Sequence, residues 1–171
     1  MRQLLFRQIA KLNTGACSGR SNALVHRKMF VSACLLLFVS LTQIALADTP
    51  QPPLPTVEFK INNVLLTAEI AATPQQRYMG LSFRKALNEN SGMLFVYPSE
   101  QQLTFTMRNT LIPLSIAFLS KDLVINEIQH MDVGPGQLFP SKYHAQYALE
   151  VDQGWFADNG IKAGDQLVRQ P

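Results

Sequence analysis

From Thr56 to Ile61 polar and apolar residues alternate strictly, with Val57, Phe59 and Ile61 set against Glu58 and Lys60. A period of two belongs to a half-buried strand. Asn62-Asn63 supplies residues tolerant of positive φ, and Val64 to Ile70 resumes the extended pattern, so the pair predicts a β-hairpin. The pattern breaks at Thr73-Pro74-Gln75-Gln76. There Thr73 offers a capping hydroxyl, Pro74 suits the first helical position, and Gln76 completes a capping box. Gly80 is placed to end this short helix in a left-handed cap.

After a polar loop, Gly92 to Tyr97 is apolar on both faces, as a central strand should be. Leu103 to Met107 and Ser115 to Leu119 read as further strands, and Lys121-Asp122 as a tight turn into Leu123 to Met131. Asp132 to Ser141 holds two Gly and two Pro and predicts a loop. Tyr147 to Val151 predicts a strand, and Asp152 is placed to cap a second short helix through Trp155 and Phe156, stopped by Asn159-Gly160. A last strand falls near Gln166 to Arg169. About eight strands with two helical turns predict a mainly β (β-rich α+β) fold. Its form is a single compact, strongly bent sheet or a partly closed barrel, either of which hides edge strands.

Charge divides the 171 residues into two populations. All 12 carboxylates lie at or beyond Asp48, while six of the 15 basic residues precede it. From Asp48 onward nine basic side chains face 12 acidic ones, so the formal charge of that part is −3 although the whole chain carries +3. The basic balance belongs to the leader and implies no nucleic-acid footprint in the rest. In the leader, Arg27-Lys28 precedes an apolar run, Met29 to Leu46, that ends in Ala45-Leu46-Ala47. A basic region, an apolar region and a small-x-small site in that order predict an export signal over residues 1–47, cleaved after Ala47. An uncleaved anchor is the alternative, since the run approaches the ~20 residues that span a bilayer. Residues 48–55 are Pro-rich and predict an extended linker, leaving residues 56–171 as one β-rich domain. The expected location is periplasmic or extracellular, with no membrane contact after cleavage.

Candidate chemistry is sparse. Both cysteines, Cys17 and Cys34, fall in the leader, so the remainder has neither a disulfide nor a thiolate nucleophile. Beyond the leader the only histidines are His130 and His144, 14 residues apart, and they predict no metal site. His130 reads as a hydrogen-bonded, half-buried strand residue. No cofactor fingerprint, Walker loop or nucleophile elbow occurs. Ser115 and Ser141 have no recognisable base beside them in the sequence. Glu150 lies opposite Leu149 and Val151, on a wet face if the sheet is open and in a lumen if it closes. Arginine carries more information. Only Arg77, Arg84, Arg108 and Arg169 follow the leader, and the first three flank turns, with Asn109 beside Arg108. A guanidinium suits carboxylate or phosphate recognition, so these side chains either line an anion site or pin loops by pairing with acids.

The motifs Arg77-x-x-Gly80-Leu81-x-x-Arg84, Gly92-Met93-Leu94-Phe95-x-Tyr97, Phe105-x-Met107-Arg108-Asn109-Thr110, Ile112-Pro113-Leu114 and Phe118-Leu119 resemble a known family in this order. So do Ala148-Leu149-Glu150-Val151-x-x-Gly154 and Gly160-Ile161-x-x-Gly164-Asp165. The chain is similar, over about Val57 to Val168, to domain of unknown function 192, a mostly exported bacterial and archaeal family. The resemblance implies a barrel-like β-rich domain and implies no activity. Thr106 stands where many relatives carry Trp, and Ser115 where many carry Asp.

Two functions fit these residues. One is an exported binding or accessory domain recognising a small anionic ligand or glycan through Arg77, Arg84, Arg108 and Asn109. The other is a hydrolase-like enzyme using Glu150 with His130 or His144. The leader also makes a prediction of its own: N-terminal sequencing of the exported protein should read from Asp48. Recovery of material that begins before Ala47 would contradict cleavage.

Overall fold

A computed structural model describes residues 48–134 and 136–171, all within the compact unit Leu46–Pro171. The export signal expected over residues 1–47 lies outside the described residues. Strands β1 (Thr56–Ile61) and β2 (Val64–Ala71) form the hairpin, turning at Asn62 with φ 53°. Helix α1 (Pro74–Met79) leads to β3 (Ser91–Gln101), which pairs in parallel with β2. Then follow β4 (Thr104–Thr106), β5 (Leu114–Leu119), β6 (Ile125–Met131), β7 (Leu138–Pro140) and β8 (Ala145–Asp152). Helix α2 (Trp155–Asp158) and β9 (Leu167–Arg169) complete the order.

Seven strands make one curled, half-barrel sheet in the order β6-β5-β8-β3-β2-β1-β9, while β4 and β7 pair as a separate ribbon. The curl brings the two edges together at one point. Val124, just before β6, bridges Gln166, just before β9, and Leu167 N–H donates to Leu123 O at 2.9 Å. Such contact leaves fewer unpaired edge groups open to other chains.

Alternation distributes the sheet's side chains between two cores. Phe59, Ile61, Leu66, Leu94, Ala117, Leu149, Val151 and Leu167 pack on the inner face with Phe156 of α2. Met93, Phe95, Leu114, Ile116, Phe118 and Ala148 pack on the outer face against Leu103, Phe105, Met107 and Phe139 from the ribbon and its flanks. Strand β5 is buried at all six positions, which is why it reads as an apolar run rather than an alternating one. Gly92 is required where β3 meets β8: a Cβ there would lie 2.3 Å from the Glu150 carbonyl oxygen.

Four local expectations need correction. The segment 132–141 is not all loop, because Leu138–Pro140 pairs with β4; three residues with one buried side chain, Phe139, give too short a period to read. Gly80 does not adopt the left-handed helical cap, since its ψ is −134°, although its N–H still bonds Gln76 O at 2.9 Å. Asp152 does not cap α2. It ends β8, and Gly154, with φ 89°, occupies the cap without a side-chain bond. Finally, His130 is exposed rather than half-buried, yet it is hydrogen-bonded, and Ser115 does have a base beside it. The Ser115 hydroxyl lies 3.1 Å from His130 Nδ1 and accepts from Gly154 N–H at 3.0 Å. Cross-strand pairing of Ser115 with His130 made this contact, and spacing in the chain does not reveal it.

The start of α1 matches its sequence signals. Thr73 accepts from Gln76 N–H at 3.2 Å, and the Gln76 side chain accepts from Thr73 N–H at 2.9 Å. Thr73→Ala removes one half of this box and should cost about 1 kcal/mol in chemical denaturation. No change in the denaturation midpoint would mean that tertiary contacts alone hold the helix start.

Candidate functional site

Helix α1 stands over the outer face of the sheet, and its placement is over-determined. Its amides are capped by Thr73. Its C-terminal carbonyls take hydrogen bonds from Gln51 Nε2, at 3.2 Å to Gln76 O and 2.8 Å to Gly80 O. The segment expected as an extended linker also bonds the sheet: Pro55 O accepts from Ile70 N–H at 2.9 Å, and Leu54 N–H donates to Glu69 at 2.8 Å. Arg84 fixes the chain that follows α1 through a fork to the Glu69 carboxylate, with contacts of 2.5 and 2.8 Å. Hydrogen bonds from Arg84 and from Leu54 N–H hold the Glu69 pKa below its ordinary value although desolvation, the largest influence, pushes it up. Arg84 is thus a pinning residue and does not line the recess that α1 creates.

Between α1 with its following segment, the β4–β5 connection and the sheet lies a recess of about 360 Å³. Arg77, Arg108 and Asn109 line it, as do Tyr78, Tyr97 and Thr106. Phe95, Phe105 and Leu81 give it an apolar wall, and Glu150 also opens onto it. Of the arginines expected to converge, two do. One terminal nitrogen of Arg77 donates to Ala72 O and, at 2.8 Å, to Val96 O, and its guanidinium lies 4.7 Å from the Tyr97 ring centroid. Arg108 donates to the Tyr78 hydroxyl and stacks at 5.1 Å over the same ring. Neither meets a carboxylate; the salt bridge among the described residues is Arg84–Glu69. Asn109 adopts φ 63°, and its carbonyl accepts from Phe83 N–H at 2.7 Å, which fastens the Arg108 loop to the chain after α1. Its side-chain amide makes no bond to the described residues.

Glu150 departs from the wet-face expectation. Its residue is 5% exposed, on the outer face of a central strand, with Met93 and Ile116 as its cross-strand neighbours. No described side chain or amide bonds its carboxyl. Desolvation pushes its pKa up to about 8, so the group is mainly protonated at neutral pH. Tyr97 shares this environment: burial raises its pKa, Arg77 opposes the rise, and Glu150 adds to it.

The histidines lie elsewhere. Ser115 and His130 form one cross-strand pair, while the next residue, Ile116, faces Glu150. Consecutive strand residues point to opposite faces, so the sheet itself separates His130 from Glu150. His144 is exposed between β7 and β8, and its carbonyl accepts from Asn126. Among the described residues no three His, Cys, Asp or Glu side chains cluster as a metal site requires. Of the two departures from the family pattern, Thr106 lies on the recess and Ser115 outside it. Tyr78 and Tyr97 line the recess beside the arginines without any motif that marks them as site residues in the sequence. The available signal was their adjacency, Tyr78 to Arg77 in sequence and Tyr97 two residues beyond Phe95 on one strand face.

Residues 57–169 match the family described as "Uncharacterized ACR", domain of unknown function 192. The chain belongs to this family. Among solved structures, this family member is similar to a Sinorhizobium meliloti 1021 protein named as a candidate transcription regulator. The two share 26% identity and a TM-score of 0.67 over 70% of this chain and 97% of that one. A protein of unknown function from Novosphingobium aromaticivorans DSM 12444 is 30% identical with a TM-score of 0.64, over 72% of this chain and 93% of that one. No curated protein matches the chain.

The elevated Glu150 pKa has a stability consequence with a definite sign. Below pH 4.5 both folded and unfolded states hold the proton; between 4.5 and about 8 only the folded state does. Stability therefore falls as pH rises through that window, by at most about 1.4 kcal/mol per pH unit, and levels off above it. Glu150→Gln should flatten this fall in thermal melts taken from pH 4.5 to 9. A variant with the wild-type slope would show that Glu150 ionises normally in the fold.

Proposed function

We propose that this domain is an exported binding or accessory module that takes up the anionic end of a small molecule or glycan in the recess beside α1. One observation carries the reading. Two guanidinium groups, of Arg77 and Arg108, line a recess in which no carboxylate is paired with them, and the acid that is present, Glu150, is held neutral by burial. Cations without counter-ions beside an apolar wall are an unsatisfied arrangement that an anionic ligand would complete. Asn109, with its free amide at the rim, adds a neutral donor. Arg84 contributes indirectly by fixing the chain between α1 and the Arg108 loop. Export is supported by Arg27-Lys28, the apolar run and Ala45-x-Ala47.

No contact favours the hydrolase reading, since neither His130 nor His144 reaches the recess that holds Glu150. A nucleic-acid partner is also disfavoured. The domain is acidic on balance, and the Sinorhizobium protein's name describes that protein.

Arg108 separates binding from scaffolding because its guanidinium is exposed and holds only Tyr78. Arg108→Ala should lower fold stability by no more than about 1 kcal/mol, the scale of an exposed cation–π contact. It should remove any thermal stabilisation that phosphate, sulfate, acetate or benzoate confers on the wild type. Arg108→Lys should restore part of it, lacking the planar fork. If none of these anions raises the wild-type midpoint, or if the alanine variant responds as the wild type does, the anion site is refuted.

A further inference from the structure

The two ends of the recess differ in kind. Arg108 and Asn109 are exposed, and with the free donors of Arg77 they offer hydrogen to an acceptor. At the sheet stands Glu150, enclosed by apolar strand neighbours and without a protein partner. The rest of the lining includes ring faces and aliphatic surface: Phe95, Phe105 and Leu81, and the Tyr78 and Tyr97 rings against the two guanidiniums. At about 360 Å³ the space is at the small end for ligand pockets, about right for one ring with substituents.

We propose that Glu150 acts as a protonated hydrogen-bond donor, and that the ligand is a small ring-bearing monocarboxylate. Its carboxylate meets Arg108 and Arg77, and a neutral oxygen on its far side accepts from Glu150. This rests on the anion-binding reading and deepens it in two ways. First, the ligand has only one anionic group, because a second charge at the inner end would be desolvated beside an acid with no cation at hand. Second, binding consumes the protonated form of Glu150, so affinity is linked to pH.

The other groups around Glu150 do not reproduce that link. From α1 come Arg77, a guanidinium bonded to two backbone carbonyls, and Tyr78, which already serves Arg108. From β3, Tyr97 has its pKa raised and stays neutral. From β2, Glu69 stands in the same row with Met93 between them, and Arg84 holds it ionised. From the β4–β5 connection comes Arg108, whose guanidinium stacks on Tyr78. From β5 the facing residue is Ile116, and from β4 Thr104, Phe105 and Thr106 carry no titrating group.

The test is calorimetric titration of the purified protein with two probes, D-glucuronate and 4-acetylbenzoate, at pH 6.5 and 9.5. The first carries its neutral oxygens on a sugar ring, the second on an aromatic ring, so the pair also shows which source the recess prefers. At least one probe should bind the wild type, with affinity falling tenfold or more between the two pH values. Glu150→Gln, which keeps a donor but cannot ionise, should bind with nearly the same affinity at both. If that variant does not fold, a wild-type measurement suffices: titrations at pH 8.5 in buffers of different ionisation enthalpy should reveal proton uptake on binding. Probe binding that needs Arg108 but neither varies with pH nor takes up protons would overturn the role of Glu150 and leave the anion site intact. Failure of both probes, with phosphate or acetate still stabilising the protein through Arg108, would overturn the ligand class alone. Failure of every anion would remove both readings together.

Discussion

The alternation of side chains on β5 and β8 governs the rest of the molecule. Both strands lie inside the sheet, and most residues on them are buried on one face or the other. At Ser115 the chain enters the inner face with a hydroxyl that engages Gly154 N–H and His130. One residue on, at Ile116, it enters the outer face opposite Glu150. The polar groups that suggested a catalytic constellation are thus divided by the sheet, and no side-chain rotation brings them together. Register decides this, since a slip of one residue would exchange the faces.

On the outer face the same constraint produces a cleft. The β4–β7 ribbon covers the sheet around Phe105 and Phe139, and α1 covers it near Gly80, whose backbone lies so close to Phe95 that a Cβ would sit 3.3 Å from the ring. Glu150 sits between these two covers. A buried acid without a partner is ordinarily unfavourable, and it persists here in its neutral form. The cost falls on stability above the ordinary carboxylate range, an expense usually associated with function.

How much of this was readable follows from the range of each interaction. The hairpin at Asn62, the cap at Thr73 and the bilaterally apolar β3 and β5 are signals within a few residues, and the sequence displayed them. The β4–β7 ribbon, the docking of Gln51 on α1 and the Ser115–His130 contact join positions 15 to 36 residues apart, and nothing local encodes them. Glu150 was ambiguous for a related reason: its neighbours Leu149 and Val151 fix its face relative to theirs, but not what covers that face. Scarcity and placement beside turns indicate which arginines to consider without separating their roles.

That separation comes from charge accounting in the fold. Arg84, Arg77 and Arg108 flank turns alike, and their sequence contexts do not differ in kind. Arg84 meets Glu69, which sits on β2 in the same row as Glu150 with only Met93 between them. Of these two acids on one sheet face, one has received the available fork and is ionised, and the other has received none and is not. Had Arg77 reached Glu150, the recess would hold a closed ion pair and little reason to bind anything. Instead Arg77 is tied to the carbonyls of Ala72 and Val96, and it forms no ion pair with the acid. The backbone bonds that look like simple pinning therefore also engage the cation that could otherwise have paired with the acid.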